Sequence, residues 1–198
     1  MTLSNSLKTA IVGLILVSLS GCMSPEGATM ADKRHSAAQM RSETLANLYR
    51  SHPEAKEQIE RAVGYGVFSN VGVKFLVLSA GNGWGIARDN KTGRDIYMKM
   101  VTAGVGIGLG VKDFRGVFVF TTRSAFTRFT EDGWDASAQA DAAAKAGNKG
   151  GAFAGAIDVA PGIKLYQLTE NGLALQATIQ GTKYWRDGDL NASVARNY

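Results

Sequence analysis

Between positions 102 and 120 the chain reads TAGVGIGLGVKDFRGVFVF, with glycine at 104, 106, 108 and 110 and an apolar residue between each pair. Few structures accept that alternation. A dinucleotide cradle needs G-x-G-x-x-G opening a helix and a P-loop needs G-x-x-x-x-G-K-S/T; neither spacing occurs here, nor in the Gly81-Asn82-Gly83-Trp84-Gly85 run. A glycine-zipper membrane helix would draw on Gly104/Gly108 and Gly106/Gly110. The uncharged run stops at Lys112, well short of the roughly 20 apolar residues that a span takes. Period two belongs to a strand, with Val105, Ile107, Leu109 and Val111 on one face and the four glycines on the other. Bare backbone costs roughly 0.5 to 1 kcal/mol per glycine relative to alanine. Either a helix or a bent sheet packs closely on that face, or a groove there receives an acyl chain or a peptide.

The N-terminus, MTLSNSLKTAIVGLILVSLSGC, has a lysine-bearing start, an apolar run from Ala10 to Leu19 and then small residues, the form of a secretory signal. Leu19-Ser20-Gly21-Cys22 looks like the lipobox of bacterial lipoproteins, in which the cysteine becomes the acylated N-terminus of the mature chain. Cys22 is the single cysteine, so acylation leaves no thiol for a disulfide, a metal or a nucleophile. A palmitate-bearing, multiply acylated anchor holds a protein to the membrane stably. By the same resemblance Met23, where an inner-membrane lipoprotein tends to carry Asp, favours the periplasmic face of the outer membrane. Loss of residues 1–21 removes Lys8 and no carboxylate, so the mature chain stays basic. In an exported protein that charge argues for an anionic membrane face or for solubility rather than for nucleic acid.

After Cys22, a small and polar stretch through residue 33 reads as a tether. Two helices follow. The first is expected over Arg34 to Arg50, with Ala38, Leu45, Leu48 and Tyr49 as its apolar stripe; the second opens at Pro53, Glu54 and Glu57 and buries Ala55, Ile59, Ala62 and Val63. From Val67 onward, short β-branched and aromatic runs alternate with turn residues. RDNKTGRD and TENG read as antiparallel turns. TTRSAFTRFTEDGW reads as a short helix near 123–130 presenting Phe126 and Phe129 to the core, and AQADAAAKAGNKGGAFAGA as small-residue sequence, helical at first and then loose. The expected fold is α+β: an antiparallel β-rich domain of about seven strands in meander and hairpins, behind two N-terminal helices. The expected organisation is a signal peptide over 1–21, a tether over 22–33 and one domain over 34–198.

Catalytic chemistry is sparse, and the chain reads as a non-enzyme. His35 and His52 are the two histidines, both in the helical N-terminal region, where solvent-facing or capping roles suit them. DGDLN places Asp187, Asp189 and Asn191 at the first three ligand positions of a calcium loop, but Ala192 stands where its glycine belongs and Tyr198 where its glutamate belongs, so a β-turn is the better reading. Asp132 and Asp135 beside Trp134 are the one carboxylate pair that suggests acid–base work, and loop carboxylates are usually solvated. Neither a cofactor nor a metal is expected.

Between Arg88 and Arg128 there are eight Lys or Arg residues against three Asp. If WGIA, IYMKMV, GVGIGLGV and GVFVFT form a meander, the turn holding Arg88, Lys91 and Arg94 sits beside the one holding Lys112 and Arg115. Five cations at one rim would meet anionic headgroups, at about 1 kcal/mol each. The other reading is that they keep hairpins soluble and discourage edge pairing.

AVGYGVFSN, GWGIARDNKTGRDIYMKM, GVGIGLGVKDFRGVFVF and LYQLTENGLALQATIQGTKYW together resemble the SYLF domain family over about Glu54 to Asn191. The resemblance rests on the order and spacing of glycine-aromatic strands. It implies a β-rich domain that touches lipid, associated with phosphoinositide membranes in eukaryotic relatives and with actin filaments in a yeast member; bacterial members are often exported lipoproteins. Family lipid binding in eukaryotes is linked to a basic amphipathic N-terminal segment, whereas PEAKEQIERAV here is charge-balanced. The expected function is a non-catalytic, lipid- or membrane-binding envelope lipoprotein, with the acylated Cys22 in the membrane and anionic lipid or an envelope protein as partner. The alternative is a structural or protein-interaction lipoprotein of the envelope.

Overall fold

The computed structural model describes residues 24–75, 78–105, 110–136, 155–168 and 181–192. Helix α1, Met30–Ser51, starts at a reciprocal cap: the Thr29 hydroxyl accepts from the Asp32 N–H, and the Asp32 carboxylate accepts from the Thr29 N–H. Residues 30–33, expected in the tether, are therefore its first turn. Its buried stripe is Ala37, Met40, Thr44 and Leu48; the expected Ala38, Leu45 and Tyr49 lie beside it, half-buried. Helix α2, Glu54–Arg61, buries Ala55 and Ile59 as its spacing implies.

Eight strands follow among the described residues: β1 Gly64–Phe75, β2 Leu78–Asp89, β3 Asp95–Val105, β4 Gly110–Phe120, β5 Trp134–Asp135, β6 Ile157–Ala160, β7 Ile163–Leu168 and β8 Thr182–Arg186. Between β4 and β5 come helix α3, Arg123–Thr127, and a π-helical turn, Arg128–Asp132; helix α4, Gly188–Ala192, follows β8. All strands belong to one antiparallel sheet ordered β5-β8-β3-β2-β1-β4-β7-β6. The mixed α+β class stands, with eight strands where about seven were expected.

The expected meander is not what forms. β2 and β1 separate β3 from β4, so the central four strands run β3-β2-β1-β4, the spatial order of a Greek key. The glycine run is correspondingly not a strand of its own: Gly104 lies in β3, Gly110 opens β4, and positions 106–109, with the expected Ile107 and Leu109, lie outside the described residues. So do TENG and nearly all of AQADAAAKAGNKGGAFAGA.

Strand alternation separates two cores. On one face Phe68, Met98, Phe118, Phe120 and Leu165 meet Phe126 and Phe129 from the α3 segment, where the sequence places them, together with Val159 of β6 and Tyr184 of β8. Strands from opposite ends of the sheet share this cluster, so the sheet curls around it. Ring centroids stand 4.8 Å apart for Phe68 and Tyr184, 4.9 Å for Phe120 and Phe129, and 5.2 Å for Phe118 and Phe129. On the other, convex face, Tyr65, Val67, Val117, Val119 and Tyr166 pack beneath Met40, Leu48, Ala55 and Ile59 of α1 and α2.

Gly85 is what lets the concave side fill. It stands between Phe68 of β1 and Met98 of β3 in register. A Cβ there would lie 2.3 Å from Phe68 Cδ1 and 2.5 Å from the Val67 carbonyl oxygen, so the Phe68 ring occupies the space a side chain would need.

Candidate functional site

The five cations expected at one rim do not share one. Arg88 stands opposite Tyr65 of β1, whereas Lys112 stands opposite Gly72 and Arg115 opposite Ser69. Seven residues along β1 separate the levels of Arg88 and Lys112, about 23 Å at roughly 3.3 Å per residue. The Greek key order is the reason: Lys112 and Arg115 belong to the body of β4, whose first residue lies at the end of the sheet away from the β2–β3 turn.

Most of these cations are engaged internally. Arg88 Nη1 lies 3.1 Å from Asp95 Oδ1, and Arg41 of α1 reaches the same carboxylate oxygen at 2.7 Å. Arg94 lies 3.7 Å from Glu131, whose other oxygen takes Arg186 at 2.6 Å. Arg115 turns toward α1, 3.7 Å from Glu43 and donating to the Thr44 hydroxyl at 3.4 Å. Lys91 is an exposed turn lysine without an ion pair among the described residues. The sequence concealed these partners because Glu43 and Arg41 sit on a helix far from the strands in the chain.

The β2–β3 turn is built as a clamp. Asp89 Oδ1 accepts from the backbone N–H of Lys91 and Thr92, closing the turn on itself. Arg123, at the start of α3, grips the same carboxylate with two guanidinium nitrogens at 2.7 and 3.2 Å. That hydrogen bonding from Arg123, helped by the turn amides, holds the Asp89 carboxyl below its ordinary range against the opposing effect of burial. Asn90 donates to the carbonyls of Ile59 and Ala62, tying the end of α2 to the turn.

The other candidates take structural places. Asp187 is 2 % exposed and accepts from the N–H of Asp189 and Leu190, while Asn191 bonds to both backbone groups of Tyr97. The segment read as a β-turn is thus the capped start of α4 docked on β3. His52 ends α1, its Nδ1 3.2 Å from Glu54 and its ring 5.8 Å from that of Tyr166. Asp132 is exposed and Asp135 is paired with Lys183 at 3.1 Å. No cluster of metal-ligating side chains occurs among the described residues. No helix among them is long and apolar enough to cross a membrane. Cys22 lies outside them.

Register brings out a pattern that linear reading missed. Up to the level of Ser69, Trp84 and Arg115, the concave face of β1 to β4 is aromatic and aliphatic, and the described contacts of α1 and α2 with the convex face also lie in this stretch. Beyond that level the sequence inverts. The strand positions that continue the concave face are occupied by Gly72, Lys74, Gly81, Thr102, Gly104 and Lys112, with Phe114 the exception. Those that continue the convex face are occupied by Val71, Val73, Phe75, Leu78, Val105 and Val111, interrupted by Asn82 and Asp113.

No family model matches the chain. It is similar to Beta cell expansion factor A of Aeromonas veronii, with 35% identity over 163 residues that cover 82% of this chain and 60% of that protein. The chain therefore spans about three fifths of the relative's length.

Proposed function

We propose that this is a lipid-anchored envelope protein, acylated at Cys22, whose SYLF-like β-rich domain binds lipid at a membrane face without catalysis. The observation that carries the reading is the inversion along β1 to β4. Four paired strands extend past the stretch where α1 and α2 make their described contacts, with valine, leucine and phenylalanine at convex-face positions and glycine, threonine and lysine at concave-face ones. An acyl-chain environment favours that order, with apolar residues on the outward face of a sheet and polar ones within. This moves the lipid contact from a cationic rim to an apolar ribbon, since Arg88, Arg94 and Arg115 already hold carboxylates.

The test is flotation of the chain from Met23 onward, which lacks an acyl anchor, with anionic and neutral vesicles across a salt series. Contacts between exposed charges weaken as the Debye length shrinks, and apolar contacts do not. The expected result is flotation with both vesicle types that persists at high salt and is lost in a Val73→Asp/Val105→Asp variant. Failure to float with either vesicle type overturns the proposal.

A further inference from the structure

Among the described residues, the curled sheet leaves a pocket between its two edge strands. Its volume is about 310 Å³, at the lower end of the range for small-ligand sites, and Trp134 and Asp135 of β5 line one side while Ala160, Pro161 and Ile163 of the β6–β7 connection line the other. Ala125, Arg128, Phe129 and Asp132 of the α3 segment form the floor and one lip.

The polypeptide that builds this lip departs from regular structure. Arg128–Asp132 is a π-helical turn, a local widening that recurs at functional sites, and Gly133 follows it at φ 82°, a conformation that favours glycine. A Cβ at Gly133 would stand 2.8 Å from the Tyr184 carbonyl oxygen, so the turn is pressed against β8. Trp134 is thereby held with its ring 5.6 Å from Tyr184 and 5.7 Å from Phe129, which leaves it half-buried at the pocket wall.

We propose that this pocket binds an N-acetylhexosamine unit of a glycan. The lining supplies each part of that recognition. The Trp134 ring, packed on Phe118, Phe129 and Tyr184, is half-buried and leaves an accessible apolar margin at the pocket for the C–H face of a pyranose. Asp132 is an acceptor for ring hydroxyls, whereas Asp135, the next residue after Trp134 in β5, pairs with Lys183 at 3.1 Å on the opposite face of the strand. Arg128 is a donor for the acetamido carbonyl, and Ala160, Pro161 and Ile163 form an apolar wall for its methyl group. Arg128 and Asp132 are exposed and neither joins an ion pair among the described residues, in contrast to the adjacent Glu131, which holds both Arg94 and Arg186. The Asp132 carboxylate at the lip also disfavours a polyanionic ligand. This site is separate from the apolar ribbon and does not depend on the lipid reading.

The experiment is a titration of the full chain, in a detergent without a sugar headgroup, with chitotriose and with maltotriose, followed by intrinsic tryptophan fluorescence. The expected result is a saturable change with chitotriose and at least tenfold weaker binding of maltotriose, which lacks the acetamido group. An Asp132→Asn/Arg128→Gln variant is expected to bind chitotriose at least tenfold more weakly, the scale of one lost charged hydrogen bond, with an unchanged melting temperature. Absence of a saturable response to chitotriose, equal binding of maltotriose, or undiminished binding by the variant each overturns the proposal.

Discussion

Replacing Gly85 with alanine adds a single methyl group at the most crowded point of the concave core. In an unobstructed strand the change would stabilise the chain by roughly 0.5 to 1 kcal/mol, because alanine has less backbone freedom to lose. Here the new Cβ would stand 2.3 Å from Phe68 Cδ1 and 2.5 Å from the Val67 carbonyl oxygen. A free ring would rotate away, but Phe68 is fully buried and bounded by Phe118, Phe129 and Tyr184, and the second obstacle is backbone. Overpacking of this kind costs about 1 to 3 kcal/mol, and the backbone contact puts Gly85 toward the upper end, for a net loss of about 2 kcal/mol. For a chain of this size that lowers the melting temperature by about 4 to 8 °C. Thermal unfolding by circular dichroism measures it, and a double-mutant cycle with Phe68→Leu identifies the cause. The smaller side chain should restore part of the loss as a coupling of at least about 0.5 kcal/mol. A Gly85→Ala chain that melts at or above the parent temperature would refute the argument that the ring occupies the glycine's space.

Asp89→Asn removes the anion that Arg123 and the turn amides stabilise, at a cost of about 2 kcal/mol at neutral pH. Because the folded-state carboxyl titrates below its unfolded value near 3.9, the aspartate's advantage is complete above that pH and lost as pH falls through the folded value. Denaturant midpoints of the two chains should therefore converge below about pH 4; a constant gap down to pH 2 would contradict this. Cys22→Ser should abolish incorporation of a clickable fatty acid and leave an unprocessed precursor, and label retained by that variant would remove the anchor assignment.

Local signals in the chain were readable where neighbours in sequence decide the structure. Pro53, Glu54 and Glu57 mark α2, RDNKTGRD marks the β2–β3 turn, and Phe126 and Phe129 enter the core as their spacing implies. The start of α1 was legible as well, in Thr29 and Asp32, but the small residues around them read as tether. What escaped is non-local. Period two continues in phase through the glycine run, so the break between β3 and β4 leaves no mark on the alternation, and nothing nearby indicates that β4 returns to the side of β1. The candidate cations were visible as charges; Arg88 meets Asp95 across the β2–β3 hairpin itself, while Glu131 and Glu43 became partners of Arg94 and Arg115 only in the folded chain. The edge pocket joins residues near 130 to residues near 160, and no linear window contains both.

The early start of α1 shortens the leash that the proposed acylation of Cys22 would make. With Thr29 already capping the helix, seven residues separate an anchor at Cys22 from Met30, a reach of at most about 28 Å. That is less than the thickness of one bilayer with its headgroups. On that proposed anchor, the start of α1 stays within a membrane's breadth of the surface through every rotation of the domain. Its local concentration at that surface is set by geometry rather than by affinity, and even a weak lipid contact is made many times before it needs to hold.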